Sequence, residues 1–377
     1  MLACPHCHER LDIPAWGEGD LRCERCGTVG EWRLGCADFL AGERDLRGAL
    51  NARLDLEHDA AVAAKVAERA PEMEYKALSD YGNALLQGEP VGEPGKSTMR
   101  GRAQKRYERW YHCVACEVGD SAGDGTVERV EASLRSRGLP PLEGRQAVEA
   151  GSGVGRHIPG LARHFDLVVC IDCSLTNLVL AKEFAERAGA ANVRFVRANV
   201  EQLPLVSESA DLVHQNGVIE HVADPQAMVD ESLRVTRSEG SYACVSPNRY
   251  PITPEAHFKL PLFGLIPRSL RALMLPIVRG VDSEVGTDLR SLRELESYFA
   301  TAGATRSHFF FVSPRTRSTV RQTQLRQAIV RGLDLPLLGS LFDLVLNRLL
   351  LPIAPYQVVV ASKDRRQRSP SSSGWNA

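Results

Sequence analysis

Four cysteines and one glycine-rich turn are the residues of this chain whose types and spacing could do chemistry. Cys4-Pro5-His6-Cys7 and Cys23-Glu24-Arg25-Cys26 are two CxxC knuckles separated by fifteen residues, a spacing that suits a tetrahedral four-thiolate site. Soft thiolates in that array select zinc, although iron fits the same ligands. Four protein ligands leave no open position, so such a metal would be structural. The turn is Val148-Glu149-Ala150-Gly151-Ser152-Gly153-Val154-Gly155, a strand followed by three alternate glycines where backbone and ligand can approach closely. After one helix's length comes the apolar run Leu167-Val168-Val169-Cys170-Ile171, closed by Asp172. An acid at a strand end about 20 residues beyond the turn suits two ribose hydroxyls. Turn and acid together predict a nucleoside-bearing cofactor.

Further strands must position these groups. Asn192 to Arg197 reads as a third strand, Ala210 to Asn216 as a fourth and Gly240 to Asn248 as a fifth, with helical stretches between them. In this order and spacing, residues 144 to 248 resemble the class I S-adenosylmethionine-dependent methyltransferase superfamily. The resemblance implies an α/β, Rossmann-like, seven-stranded sheet. A sixth strand, His308 to Val312, and a seventh, Tyr356 to Ala361, would complete it as an antiparallel pair.

The resemblance also implies roles. Gly151, Gly153 and Gly155 would pass under the methionine part of the cofactor, with Glu149 reaching its ammonium side directly or through water. Asp172 would accept from the ribose. Asn199 stands where many relatives carry an acid facing the adenine amino group, and its amide oxygen can still accept there. Asn216, ending the fourth strand, falls where relatives set groups against the cofactor. An N-terminal ribbon of Cys4, Cys7, Cys23 and Cys26 before such a domain resembles ribbon-bearing bacterial methyltransferases.

Methyl transfer is an in-line displacement, so holding the acceptor close and aligned is the main task. An oxygen acceptor also gains from proton removal, for which histidine is suited near neutral pH. His221, just beyond the fourth strand in Glu220-His221-Val222, is the first candidate base, and His257, two residues after Glu255, is the second.

With this resemblance, the expected division is a zinc ribbon at 1–40, a helical linker and cofactor-cap region at 41–143, a methyltransferase domain at 144–365 and a disordered tail at 366–377. Glu43 to Ala70, rich in Ala, Leu, Glu and Arg and closed by Pro71, predicts a long helix; Glu72 to Leu86 predicts a second. Gly95-Lys96-Ser97 imitates the end of a phosphate-binding loop, but Pro90 occupies its first glycine position and no apolar strand precedes it. Cys113 and Cys116 form a CxxC with no partner pair, and Cys170 reads as a small buried hydrophobe. Segments 249–285 and 313–354 are insertions that read as a lid or a membrane-facing patch. Leu260 to Gly280 is apolar with Arg268, Arg271 and Arg279 and no acid.

With 377 residues, the chain can bury an ample core. Its net charge of −1 provides no global basic field, which weighs against a nucleic-acid partner. Ten cysteines and an N-terminus that runs straight into the first knuckle suggest a reducing cytoplasm, and no apolar stretch reaches the about 20 residues that span a bilayer. The expected activity is O-methylation of a small metabolite, glycan or lipid-linked substrate, with contact to the inner membrane face as a further expectation. The competing readings are an RNA base methyltransferase whose ribbon grips nucleic acid, and a non-catalytic cofactor-binding module. Neither the acceptor nor the oligomeric state is legible.

Overall fold

Strands that carry apolar side chains on both faces need cover on both sides, and the chain supplies it with helices between strands. The structure, a computed structural model, describes residues 2–40, 54–86, 143–251, 260, 262–278, 288–310, 351–354 and 356–363. Its strands are β1 (Leu21–Arg22), β2 (Val29–Arg33), β3 (Cys36–Asp38), β4 (Gly144–Ala150), β5 (Phe165–Asp172), β6 (Val193–Arg197), β7 (Ala210–Asn216), β8 (Thr236–Pro247), β9 (Arg306–Phe310) and β10 (Tyr356–Ser362). The helices are α1 (Leu56–Arg69), α2 (Tyr75–Leu86), α3 (Ile158–His164), α4 (Leu175–Arg187), α5 (Pro225–Val235), α6 (Arg268–Val278) and α7 (Leu292–Thr301).

The strand order is β1-β2-β3-β6-β5-β4-β7-β8-β10-β9. Strands β4 to β8 pair in parallel, and β10 runs antiparallel between β8 and β9. The seven strands from residue 144 onward thus form the expected Rossmann-like sheet. Chain order reverses at β4 and β7, so the crevice for a ligand opens at the carboxyl ends of those two strands. The N-terminal segment extends this sheet rather than standing apart from it. Strand β3 pairs in parallel with β6, Ala37 beside Val196 and Asp38 beside Arg197, and β2 pairs with β3. At three residues β3 is too short for periodicity to announce it.

Alternation divides the core. Ala147, Val168 and Cys170 face the layer of α1, α2 and α4, where Val62, Val66, Leu78 and Leu178 cover them. Val148, Ala150, Val169 and Ile171 face the other layer, with Met228 and Val229 of α5 and Leu2, Leu11 and Leu21 of the N-terminal segment. Each large apolar side chain fully buried in this way contributes about 2 kcal/mol. Helix starts follow local chemistry: Ser174 caps α4, Asp224 caps α5 ahead of Pro225, and Ser291 with Glu294 forms a capping box on α7. Among the described residues no helix is long and apolar enough to cross a membrane. Helix α6 exposes apolar side chains instead: Leu270, Leu273, Ile277 and Val278, with Leu262 and Leu265 just before it. His257, Glu255, Cys113, Cys116, the 366–377 tail and most of the 313–354 insertion lie outside the described residues.

Candidate functional site

The glycine turn joins β4 to α3 at the crevice. Gly151, Gly153 and Gly155 all have left-handed backbones, with φ of 80°, 51° and 86°. Two of them are also hemmed in. A Cβ at Gly151 would lie 2.4 Å from Val218 Cγ2, and one at Gly155 2.7 Å from Ile158 Cδ1. A Cβ at Gly153 would meet nothing within 4 Å, so this middle glycine faces open space. Gly151 and Ser152 donate to Ile171 O at 2.7 and 2.9 Å, tying the turn to the end of β5.

Asp172, at that end, is buried. Its Oδ2 accepts from Gly153 N at 2.8 Å, and its Oδ1 from Ser174 N at 2.9 Å and Asn177 Nδ2 at 3.4 Å. Burial pushes its carboxyl up, against the lowering effect of the Ser174 and Gly153 amides. An ionised carboxylate offers about four acceptor positions, so three donors leave capacity for a ligand hydroxyl. Open space over Gly153 beside a buried carboxyl acceptor fits the nucleoside end of S-adenosylmethionine.

Glu149 is held differently from the role that the resemblance implies. Its Oε1 lies 2.9 Å from His157 Nδ1 and its Oε2 2.5 Å from His214 Nδ1, with all three side chains buried. Each oxygen takes one histidine contact, which leaves acceptor capacity on the carboxylate as on that of Asp172. Burial raises its carboxyl, but the charges and hydrogen bonds of His214 and His157 outweigh this and hold it at about 2. Burial lowers His157, in spite of the Glu149 carboxylate beside it. His157 Nε2 contacts Asn216 Nδ2 at 3.2 Å, which brings the end of β7 to the same cluster. Sequence reasoning missed both histidines. His214 could have been noticed, since a histidine inside an apolar strand needs a buried partner.

Asn199 turns its own loop, with Oδ1 accepting from Glu201 N at 3.0 Å. The same side chain also hydrogen-bonds the Glu201 carboxyl. His221 follows β7, with its side chain 39% exposed and Nε2 3.9 Å from Glu220 Oε1.

The ligand atoms of Cys4, Cys7, Cys23 and Cys26 all lie within 4.8 Å of one another. Cys4 and Cys26 sulfurs are 3.3 Å apart, Cys7 and Cys23 sulfurs 3.5 Å apart, and none is in a disulfide. Four thiolates at about 2.3 Å from one ion would stand slightly farther apart than this, so the quartet fits a tetrahedral zinc with a small expansion. The Thr28 hydroxyl, 3.0 Å from the Cys26 sulfur, and the Thr28 backbone lower that thiol to about 6, which favours the metal-binding thiolate.

Comparison with known proteins agrees with this geometry. Residues 148–244 match a family model described as "Methyltransferase domain". A ubiquinone biosynthesis O-methyltransferase of Paracidovorax citrulli is 32% identical over 104 residues, 27% of this chain and 44% of that protein. A Mycobacterium tuberculosis protein named "Probable S-adenosylmethionine-dependent methyltransferase" is 32% identical over 121 residues, 30% of this chain and 40% of its own length. The chain thus spans less than half the length of these curated relatives. Among solved structures, Haemonchus contortus phosphoethanolamine N-methyltransferase 2 with S-adenosyl-L-methionine is similar with a TM-score of 0.41 and 15% identity, over 63% of this chain and 52% of that one. The family match runs from β4 to β8, the span that holds the glycine turn and Asp172.

Proposed function

We propose that the chain is an S-adenosylmethionine-dependent methyltransferase acting on an oxygen of a small metabolite, with a lipid-linked or otherwise apolar acceptor as the preferred class. The observation that carries this reading is the open cradle at Gly153 beside buried Asp172, within the matched domain. When bound, the cofactor supplies a sulfonium methyl group that is displaced in line. The turn lets backbone approach the methionine part, and Asp172 accepts from the ribose. Asn199 faces the adenine edge. His221, on the open end of the sheet with its Nε2 3.9 Å from Glu220 Oε1, takes the acceptor's proton at a ring nitrogen. His257 is the second candidate for that task. Zinc at the four cysteines is structural.

Two observations support an apolar acceptor with a hydroxyl. The Leu262, Leu265, Leu270, Leu273 and Ile277 side chains are exposed on and before α6, in the region that follows β8 at the ligand-bearing end of the sheet. The same face suits peripheral contact with a lipid surface. Relatives are named for O-methylation in ubiquinone biosynthesis, an agreement with hydroxyl chemistry. The test is calorimetric titration of the zinc-loaded protein with S-adenosylmethionine and S-adenosylhomocysteine, wild type against Asp172→Ala, followed by labelled-methyl transfer to polyprenyl phenols, glycolipids and RNA. Binding abolished by the substitution and label on a lipid hydroxyl are expected. A folded wild type that binds neither ligand overturns the reading, and label on RNA alone overturns the acceptor class.

A further inference from the structure

The N-terminal segment touches both walls of the proposed nucleoside position. On the ribose side the contact runs through Arg197, which is 1% exposed at the end of β6. Its Nη1 donates to Asp38 Oδ2 of β3 at 3.2 Å, its Nη2 to Asp59 Oδ2 of α1 at 2.9 Å, and its Nε to Cys173 O at 3.0 Å. Asp59 in turn accepts from Ser174 Oγ at 2.8 Å, Leu175 N at 2.7 Å and Thr176 N at 3.3 Å, which fixes the first turn of α4. Ser174 N then donates to Asp172. An unbroken chain of buried polar contacts therefore leads from the ribbon's last strand to the carboxylate that would meet the ribose.

On the adenine side, His6 stands between the two cysteines of the first knuckle, and its Nδ1 lies 3.1 Å from Gln202 Nε2. Ala3 N donates to Pro204 O at 2.9 Å, and Leu2 forms a bridge with Leu205. The loop so held begins at Asn199. A segment as small as residues 2–40 needs its metal to keep a fixed shape, and both contacts depend on that shape.

We propose that the metal-loaded ribbon is a working wall of the cofactor site, in which Asp38 and Arg197 are positioning residues and metal at Cys4, Cys7, Cys23 and Cys26 raises affinity for the adenosyl group. The proposal rests on the reading of Asp172 and the glycine turn as that group's site. Loss of the metal frees Asp38, leaves Arg197 with Asp59 as its one carboxylate partner, and slackens the Cys173–Thr176 segment that aims Asp172. Release of the first knuckle slackens the 199–205 loop at the same time.

The experiment is calorimetric titration of the full chain with S-adenosylhomocysteine in three forms: zinc-loaded wild type, the same protein stripped by a chelator, and zinc-loaded Asp38→Asn. Zinc content and the thermal transition are recorded for each. Stripping is expected to weaken binding about tenfold, a common size for coupling between two sites, with recovery when zinc is returned. Asp38→Asn should keep one zinc per chain and show a loss of similar size. Affinity equal to wild type in both the stripped protein and the variant overturns the proposal. Should the stripped protein unfold, Asp38→Asn and Gln202→Ala decide, and wild-type affinity in both overturns it. Zinc-loaded wild type without any binding removes the functional reading itself and this proposal with it, whereas tight wild-type binding unmoved by every variant removes this proposal alone.

Discussion

The guanidinium of Arg197 donates to the carboxylate of Asp38 across 159 positions of chain, and both side chains are buried. Asp59 completes the group at 2.9 Å, so the buried Arg197 stands between two buried acids, and Arg33 approaches Asp38 from outside at 3.8 Å. Taking such charges out of water is costly, and removing one partner leaves the others uncompensated.

Arg197→Met should therefore destabilise the fold by about 3–5 kcal/mol, because Asp59 loses its cation and Asp38 keeps only the longer contact to Arg33 Nε at 3.8 Å. Urea unfolding followed by circular dichroism measures it. A loss below about 1 kcal/mol, the ordinary worth of an exposed pair, would remove the network from the list of stabilising features.

The three glycines separate folding from binding. Gly151→Ala places a methyl against Val218 on a left-handed backbone, so it should lower the thermal midpoint. Gly153→Ala meets open space at φ 51° and should cost the fold only about 1 kcal/mol. It should nevertheless weaken cofactor binding, because its methyl occupies the cradle. Equal cofactor affinity for Gly153→Ala and wild type would show that the ligand lies elsewhere.

The Glu149, His157 and His214 cluster predicts two windows of acid sensitivity. His157 is lowered in the folded protein, so as pH falls through about 6.5 the unfolded chain takes up a proton that the folded one refuses, and stability drops. Glu149 is held at about 2 against an ordinary 4.5. Its contribution is full above about 4.5 and is lost as pH falls toward 2, a span on the order of 3 kcal/mol. Thermal midpoints measured from pH 8 to pH 3 should show both declines. Glu149→Gln should flatten the lower one, and an unchanged profile in that variant would rule out the assignment.

His221→Ala should lower turnover by about 10²–10⁴ while cofactor affinity stays near wild type. Single-turnover rates and calorimetry on the same preparation decide it. Weaker cofactor binding with unchanged turnover would make His221 a cofactor contact, and the proton would then need His257 or solvent.

Much of this architecture was legible locally. The β4 turn, the acid closing β5 and the short strand-like runs of β7 and β8 carry their geometry in short stretches, and the cysteine quartet carries its own in its spacing. Asp172 and Gly153, nineteen positions apart, do meet at 2.8 Å. The Arg197 network was not legible, since its partners lie 159 and 138 positions away and no local pattern marks an arginine as buried. The partners of Glu149 were hidden for a related reason: His157 reads as an ordinary helix-start residue until β7 brings His214 beside the same carboxylate. Strand β3 escaped because parallel pairing with a strand some 160 residues distant depends on tertiary assembly.

That pairing of Ala37 and Asp38 with Val196 and Arg197 also decides what the molecule shows to its neighbours. Without residues 2–40, β6 would become the outermost strand of a parallel sheet, with a row of unsatisfied amides and carbonyls and Val193, Phe195 and Val196 beside them. Bare edges of this kind recruit strands from other chains. Covering that edge should therefore limit self-association, and a shortened chain starting at residue 54 is expected to precipitate or form oligomers under conditions where the whole chain stays dispersed.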